Sequence, residues 1–194
     1  MIAAFKSGRR APDTRRYRTF WRRFWAGAVD GVVFLPLYWV DRWIWDTVST
    51  PAVLVPWFVV DSSSFVLYSV LLHGCFGQTL GKRLMGVKVF DVSGSKLSLK
   101  QAVLRDSVYI ALVVYGLIID LPTVAKGQNP YSSATELSVA LLVSLYASLG
   151  WFALELVTML ANSKRRAIHD FIARSVVMRV DALHESTDGQ LSHA

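Results

Sequence analysis

Four long apolar stretches, separated by segments that hold nearly all of the charge, set what this chain can fold into. They run from about Phe24 to Val40, Pro56 to Phe76, Ala102 to Leu121 and Leu137 to Ala161. Each is close to the roughly 20 residues that a helix rising 1.5 Å per residue needs to cross bilayer hydrocarbon. The expected fold is therefore an all-α membrane protein, a bundle of about four transmembrane helices. A basic arm over residues 1–20 precedes the membrane domain of 21–180, and a tail without fixed structure follows over 181–194. About twenty charged and polar residues come before the first apolar stretch, too long and too basic a lead for a signal-peptide n-region, so no cleaved leader is expected.

Charge supports the helix count and sets its direction. Residues 1–23 hold eight Lys/Arg, the segment 77–105 six, and the stretch after the fourth block five, nineteen of the chain's 21; only Arg42 and Lys126 lie elsewhere. Four crossings put all nineteen on one face, whereas three or five would divide them. The positive-inside rule then places both ends and the central segment in the cytoplasm. The net charge of +7 falls at the ends of apolar blocks, so anionic lipid headgroups are the expected partner and nucleic acid is not. Tyr38, Trp39, Trp43 and Trp45 mark the far interface, followed by a short loop with Asp41, Arg42 and Asp46.

Between the second and third blocks the pattern changes. VKVF and KLSLK alternate around an SGS turn, which predicts a small cytoplasmic β-hairpin. Ser98 with Gln101 three residues later has the spacing of a capping box, so a helix should start there. The single cysteine, Cys75, excludes an intrachain disulfide and a cysteine-based zinc site, and is expected to be a small packing residue.

Three pieces of sequence, in order, resemble the RDD family of bacterial integral membrane proteins. The first is RFWAGAVD, from Arg23 to Asp30. The second is GQTLGKRLMGVKVFDVSGSKLSLKQAVLRD, which contains Arg105. The third is RRAIHDFIARSVV, with Arg166, His169 and Asp170. The resemblance implies a multi-pass protein of the bacterial inner membrane with a cytoplasmic N-terminus, and Arg23, Asp30 and Asp170 as its eponymous residues. It also implies a transport role, with cation/proton exchange in some members. In one departure, Ala173, Arg174 and Ser175 stand where the pattern carries a threonine, although Ser175 keeps a hydroxyl.

Asp30 is the sharpest candidate for chemistry. It lies about 10 Å along the helix from Arg23, two turns on along the same face. An aspartate at that depth costs roughly 2.5–3.5 kcal/mol on insertion scales, so it should face protein or water. It is either a cation or proton site or a structural ion-pair partner of an arginine such as Arg105 or Arg166. His73 and Glu155 fall at a similar depth, and with Asp30 could form a proton relay. Asp61, nearer the far face, is either the outward end of such a path or, with Ser62, Ser63 and Ser64, the start of its helix. His169 and Asp170 are adjacent and cannot face one another on a helix, so they need separate partners. A charge network of Arg23, Arg105, Arg166, His169 and Asp170 is expected to lock the tail to the base of the bundle.

No catalytic triad, paired-carboxylate spacing, metal motif or cofactor motif is present. GQTLGKR lacks the four-residue gap and the Ser/Thr of a phosphate loop. An enzyme, a metal and a cofactor are thus not expected. Two functions remain: a small transporter or ion-exchange component moving a cation or proton, and a non-transporting interaction or assembly protein. Four helices leave little room for a pathway, which points to a homo-oligomer if the protein transports.

Overall fold

The computed structural model describes residues 17–132 and 139–181. Residues 1–16 of the basic arm, 182–194 of the tail, and Leu137 and Ser138 at the expected start of the fourth helix lie outside them. The described chain is mostly helical. Ten elements follow in order: α1 (Phe20–Val33), α2 (Leu35–Thr47), α3 (Pro51–Phe76), α4 (Leu80–Leu84), β1 (Val87–Asp91), α5 (Leu99–Arg105), α6 (Ser107–Val124), α7 (Val139–Ala161), α8 (Ile168–Ile172) and β2 (Ser175–Arg179). Among the described residues, three helices are long and apolar enough to cross a membrane: Pro51–Phe76, Ser107–Val124 and Leu142–Ala161. Large apolar side chains such as Ile118, Tyr146, Leu149 and Phe152 are exposed along α6 and α7. On a soluble protein these would form an aggregating patch, whereas lipid tails cover them at no cost.

The first apolar block is not one uninterrupted helix. α1 and α2 meet at Phe34, whose N–H bonds to Gly31 in a tightened turn. Pro36 explains the break, because it lacks the N–H that would bond one turn back and its ring crowds that carbonyl. The far-interface tryptophans and Asp41, Arg42 and Asp46, expected to straddle a loop, instead lie on α2. The second helix likewise starts earlier than the apolar pattern suggested, at Pro51, so Asp61 sits inside α3 rather than at its start. Cys75 is exposed on the same helix, not packed inside.

α3 ends at Gly77 with φ 75, the left-handed conformation that glycine adopts without penalty, and its N–H caps the His73 carbonyl. The chain then builds a small folded base. The Ser98–Gln101 capping box is present and starts α5. β1, however, pairs mainly with the tail. It runs antiparallel to β2 from Val87↔Arg179 to Asp91↔Ser175, while the expected hairpin is reduced to a single bridge, Phe90↔Lys96. Pairing with SVVMR lets Val87, Val89 and Val177 bury together against Val70, Leu97 and Ala102. A second core of Ile44, Leu54, Phe58 and Val124 closes the opposite end.

Candidate functional site

The base of the bundle gathers charge from five segments. Asp170, on α8, is fully buried. Its carboxylate accepts hydrogen bonds from Arg23 at 2.9 Å, from Arg105, from the Ser175 hydroxyl at 3.1 Å and from the Ala167 backbone N–H at 3.0 Å. Burial alone would raise its pKa, but the guanidinium groups of Arg105 and Arg23 outweigh that and hold it well below the usual carboxylate range. Arg166 joins through the backbone, donating to the carbonyls of Asp170 and Ser175 at 2.9 Å each while its guanidinium stacks 4.1 Å from the Phe171 ring centroid.

His169 faces the other way and meets Glu155 through Nδ1. Arg23 lies 3.2 Å from Nε2, and a guanidinium can only donate. The ring is therefore the tautomer with its proton on Nδ1, donated to Glu155. Burial and then Arg105 lower the His169 pKa, in keeping with a neutral ring. His169 and Asp170 thus have different principal partners, as adjacent helical residues must, although Nε2 also comes within 3.5 Å of Asp170.

Asp30 is 5% exposed and makes no ion pair among the described residues. Its Oδ1 accepts from the Tyr68 hydroxyl at 2.6 Å and the Gly81 N–H at 2.8 Å, and its Oδ2 from the Thr79 hydroxyl at 2.6 Å. Neither Arg105 nor Arg166 is its partner; the donors are neutral groups of α3 and of the turn into α4. Gly81 makes this possible, because α4 packs so closely on α1 that a Cβ there would run into the Ala26 carbonyl.

His73 is buried and belongs to a third group. Its Nδ1 lies 2.8 Å from the Ser69 carbonyl oxygen, which can only accept, so Nδ1 carries the proton and Nε2 is free to accept from Lys82 Nζ at 2.5 Å. The Ser69 hydroxyl donates to Asp106 at 2.7 Å. Lys82 is part-exposed as a residue, but its amine points inward. Burial, then Arg105 and Arg23, lower its pKa to about 7, against the opposing pull of Asp106 and Asp170.

These groups surround one cavity of about 250 Å³, lined by Arg23, Asp30, His73, Lys82, Asp106, Glu155 and His169 among others. The three residues expected at equal depth, Asp30, His73 and Glu155, do share this cavity. They do not bond one another, since each is tied to its own partner. Arg166 and Asp170 lie behind the wall. Lys82, Asp106, Ser69, Thr79 and Tyr68 were not singled out from the sequence. Ser69 and His73 at i, i+4 was the one available signal.

A second cavity of about 370 Å³ lies nearer the opposite end, lined by Asp61, Ser62, Asp120, Tyr131, Ser144 and Ser148. Phe65 and Tyr109 line both cavities. Among the described residues no group of three or more His, Cys, Asp or Glu side chains could hold a metal ion.

The model of the RDD family matches residues 17–174. No curated protein and no solved structure matches the chain.

Proposed function

The chain belongs to the RDD family, and on that premise we propose that it is a small transporter or exchange component for a cation or proton. The observation that carries this reading is the placement of Asp30 and Glu155. Both line the inner cavity, and neither is sealed in an ion pair with an arginine. A carboxylate held only by neutral donors keeps a charge that a cation or proton can meet. The outer cavity, with Asp61 and Asp120, supplies a polar compartment on the other side of Phe65 and Tyr109. In this reading Asp61, which lies inside α3, belongs to the path.

In this reading the kinked α1–α2 pair is the fourth crossing. Its two helices of 14 and 13 residues have a combined length of about 40 Å at 1.5 Å per residue, which leaves room for a kinked crossing of the hydrocarbon. The base lies on the cytoplasmic face of a bacterial inner membrane. The protein is not an enzyme, and a homo-oligomer would widen the thin bundle.

One observation favours the assembly reading instead: the three hydrogen bonds of Asp30 fasten α3 and the start of α4 to α1, which is also what a structural residue would do. The Asp30→Asn variant separates the two. Its retained oxygen can still accept from Tyr68 and Gly81, and Thr79 can turn to face the new amide, so the fold should persist within about 1 kcal/mol. For a transporter, proteoliposomes with this variant should lose flux driven by a pH or sodium gradient. Full, pH-dependent flux in Asp30→Asn, or no flux of any ion in the wild type, would sink the transport reading.

A further inference from the structure

The strongest cluster that the family pattern leaves without a role is the contact between Lys82 and His73 on the inner-cavity wall. We propose that Lys82 and His73 form one proton-binding site, a pair that holds a single exchangeable proton facing the cavity. The inference deepens the transport reading above, naming where the proton would be held.

The geometry fixes the parts. The Ser69 carbonyl, 2.8 Å from His73 Nδ1, keeps a proton on that nitrogen in every state and leaves Nε2 as a lone pair. The amine 2.5 Å from Nε2 then has two forms. As an ammonium it donates to Nε2. When one proton leaves for cavity water, the neutral amine keeps two N–H bonds and still donates one of them to Nε2. The hydrogen bond survives on both sides of the exchange, so the pair can change charge by one without a rearrangement around it.

The surroundings are arranged to keep that change within reach. α1 presents Arg23 and Asp30, α5 Arg105, Asp106 leads into α6, α7 presents Glu155, and α8 His169 and Asp170. Arg23 and Arg105 repel the ammonium while Asp106 and Asp170 attract it, and with burial this brings the Lys82 pKa to about 7. A lysine with an ordinary value of 10.5 would stay charged throughout the physiological range. No acidic partner forms an ion pair with Lys82 among the described residues, so no pairing would lock its proton in place.

The test is NMR on the full-length protein in nanodiscs, with ¹³C at the lysine ε carbons and ¹⁵N in the histidine rings. One lysine signal should titrate near neutral pH and be missing from the Lys82→Arg variant. The His73 Nε2 signal should move with the same midpoint, and in Lys82→Met that shared midpoint should be lost. All lysine signals titrating above pH 10, or a His73 midpoint unchanged by Lys82→Met, would overturn the proposal. Thermal melting establishes that each variant is folded, and His73→Gln, which keeps an acceptor toward the amine, is the milder replacement if Lys82→Met is not. Flux then tests the role of the site: Lys82→Met and His73→Gln should abolish the pH dependence near neutrality, and an unaltered profile would overturn coupling through this pair. Absence of flux in the wild type would remove the transport reading, while the spectra would still decide the proton site.

Discussion

Arg23 and Asp170 lie 147 positions apart in the sequence and are joined by a 2.9 Å ion pair that ties α1 to α8. Arg105 completes the arrangement from α5, with only 3% of its side chain exposed. Two arginines thus share one carboxylate, and the tail cannot leave the base without stranding both.

Asp170→Ala should therefore destabilise the protein by roughly 3–5 kcal/mol, the usual consequence of removing one member of a buried ion network. The pH dependence follows from the depressed pKa of Asp170. Its contribution is full above the unfolded value of 3.8 and is lost as the pH falls from there toward the lower folded value. Melting curves between pH 3 and 7 should show the wild type losing stability at the acid end and Asp170→Ala changing less. Equal melting temperatures for the two proteins at pH 7 would contradict the network.

Gly81→Ala should weaken the α1–α4 contact, because the new methyl group meets the Ala26 backbone carbonyl and approaches Asp30 Cγ at 3.0 Å. Backbone cannot move aside as a side chain can, so a loss of about 1–3 kcal/mol is expected. Gly27→Ala is the control. Nothing lies within 4 Å of a Cβ there, and alanine favours the helix by roughly 1 kcal/mol over glycine. Thermal melting of the two variants in the same detergent should move in opposite directions.

Much of this base could be read from the chain. Arg23, Arg105 and Asp170 could be grouped because they lie in the three pieces that resemble the RDD pattern, and the Ser98–Gln101 spacing is a local rule that works without tertiary information. What could not be read was the choice among partners. Asp30 could be read as a cation or proton site or as the partner of an arginine, and its actual donors, Tyr68, Thr79 and Gly81, are neutral groups that the chain brings nearer than any guanidinium. VKVF was assigned the nearest alternating segment, KLSLK, yet its partner lies in the tail, where three consecutive apolar residues bury more surface. Both are long-range decisions, settled by packing that sequence spacing does not encode. Lys82 escaped attention because a lysine in a basic segment looks like a headgroup contact until the position of its amine is known.

Topology can be checked with reporter fusions. Those placed after Arg105 and after Arg179 should report the cytoplasm, and those near Thr47 and Gln128 the outside. The informative position is Thr47, at the end of α2, since the Phe34 break allows α1 and α2 either to cross together or to fold back on the same side. A cytoplasmic signal at Thr47 would mean that the pair does not cross.

Phe65 and Tyr109, which line both cavities, are expected to form a barrier between them. On α3, Ser62 lines the outer cavity, and Phe65, one turn on along the same face, lines both. Phe65 is held in place by edge-on packing against Phe34, with ring centroids 5.4 Å apart, and Phe34 is the residue at which α1 gives way to α2. The plug is thus fixed to the one break in the α1–α2 pair, where a change in kink would shift it. Thiol labelling can test this once the exposed Cys75 is replaced by serine. Ser62→Cys is nearly isosteric, and Gly27→Cys enters open space on the wall of the inner cavity. A membrane-impermeant reagent should reach the thiol at 62 only from the outside and the thiol at 27 only from the cytoplasm. Adding Phe65→Ala removes the ring that Phe34 supports and should open each position to the opposite side, with Tyr109 alone left as a partial barrier. Labelling of both positions from both faces while Phe65 is intact would show that the ring is no barrier. Unchanged sidedness in the Phe65→Ala background would assign the seal to Tyr109 instead.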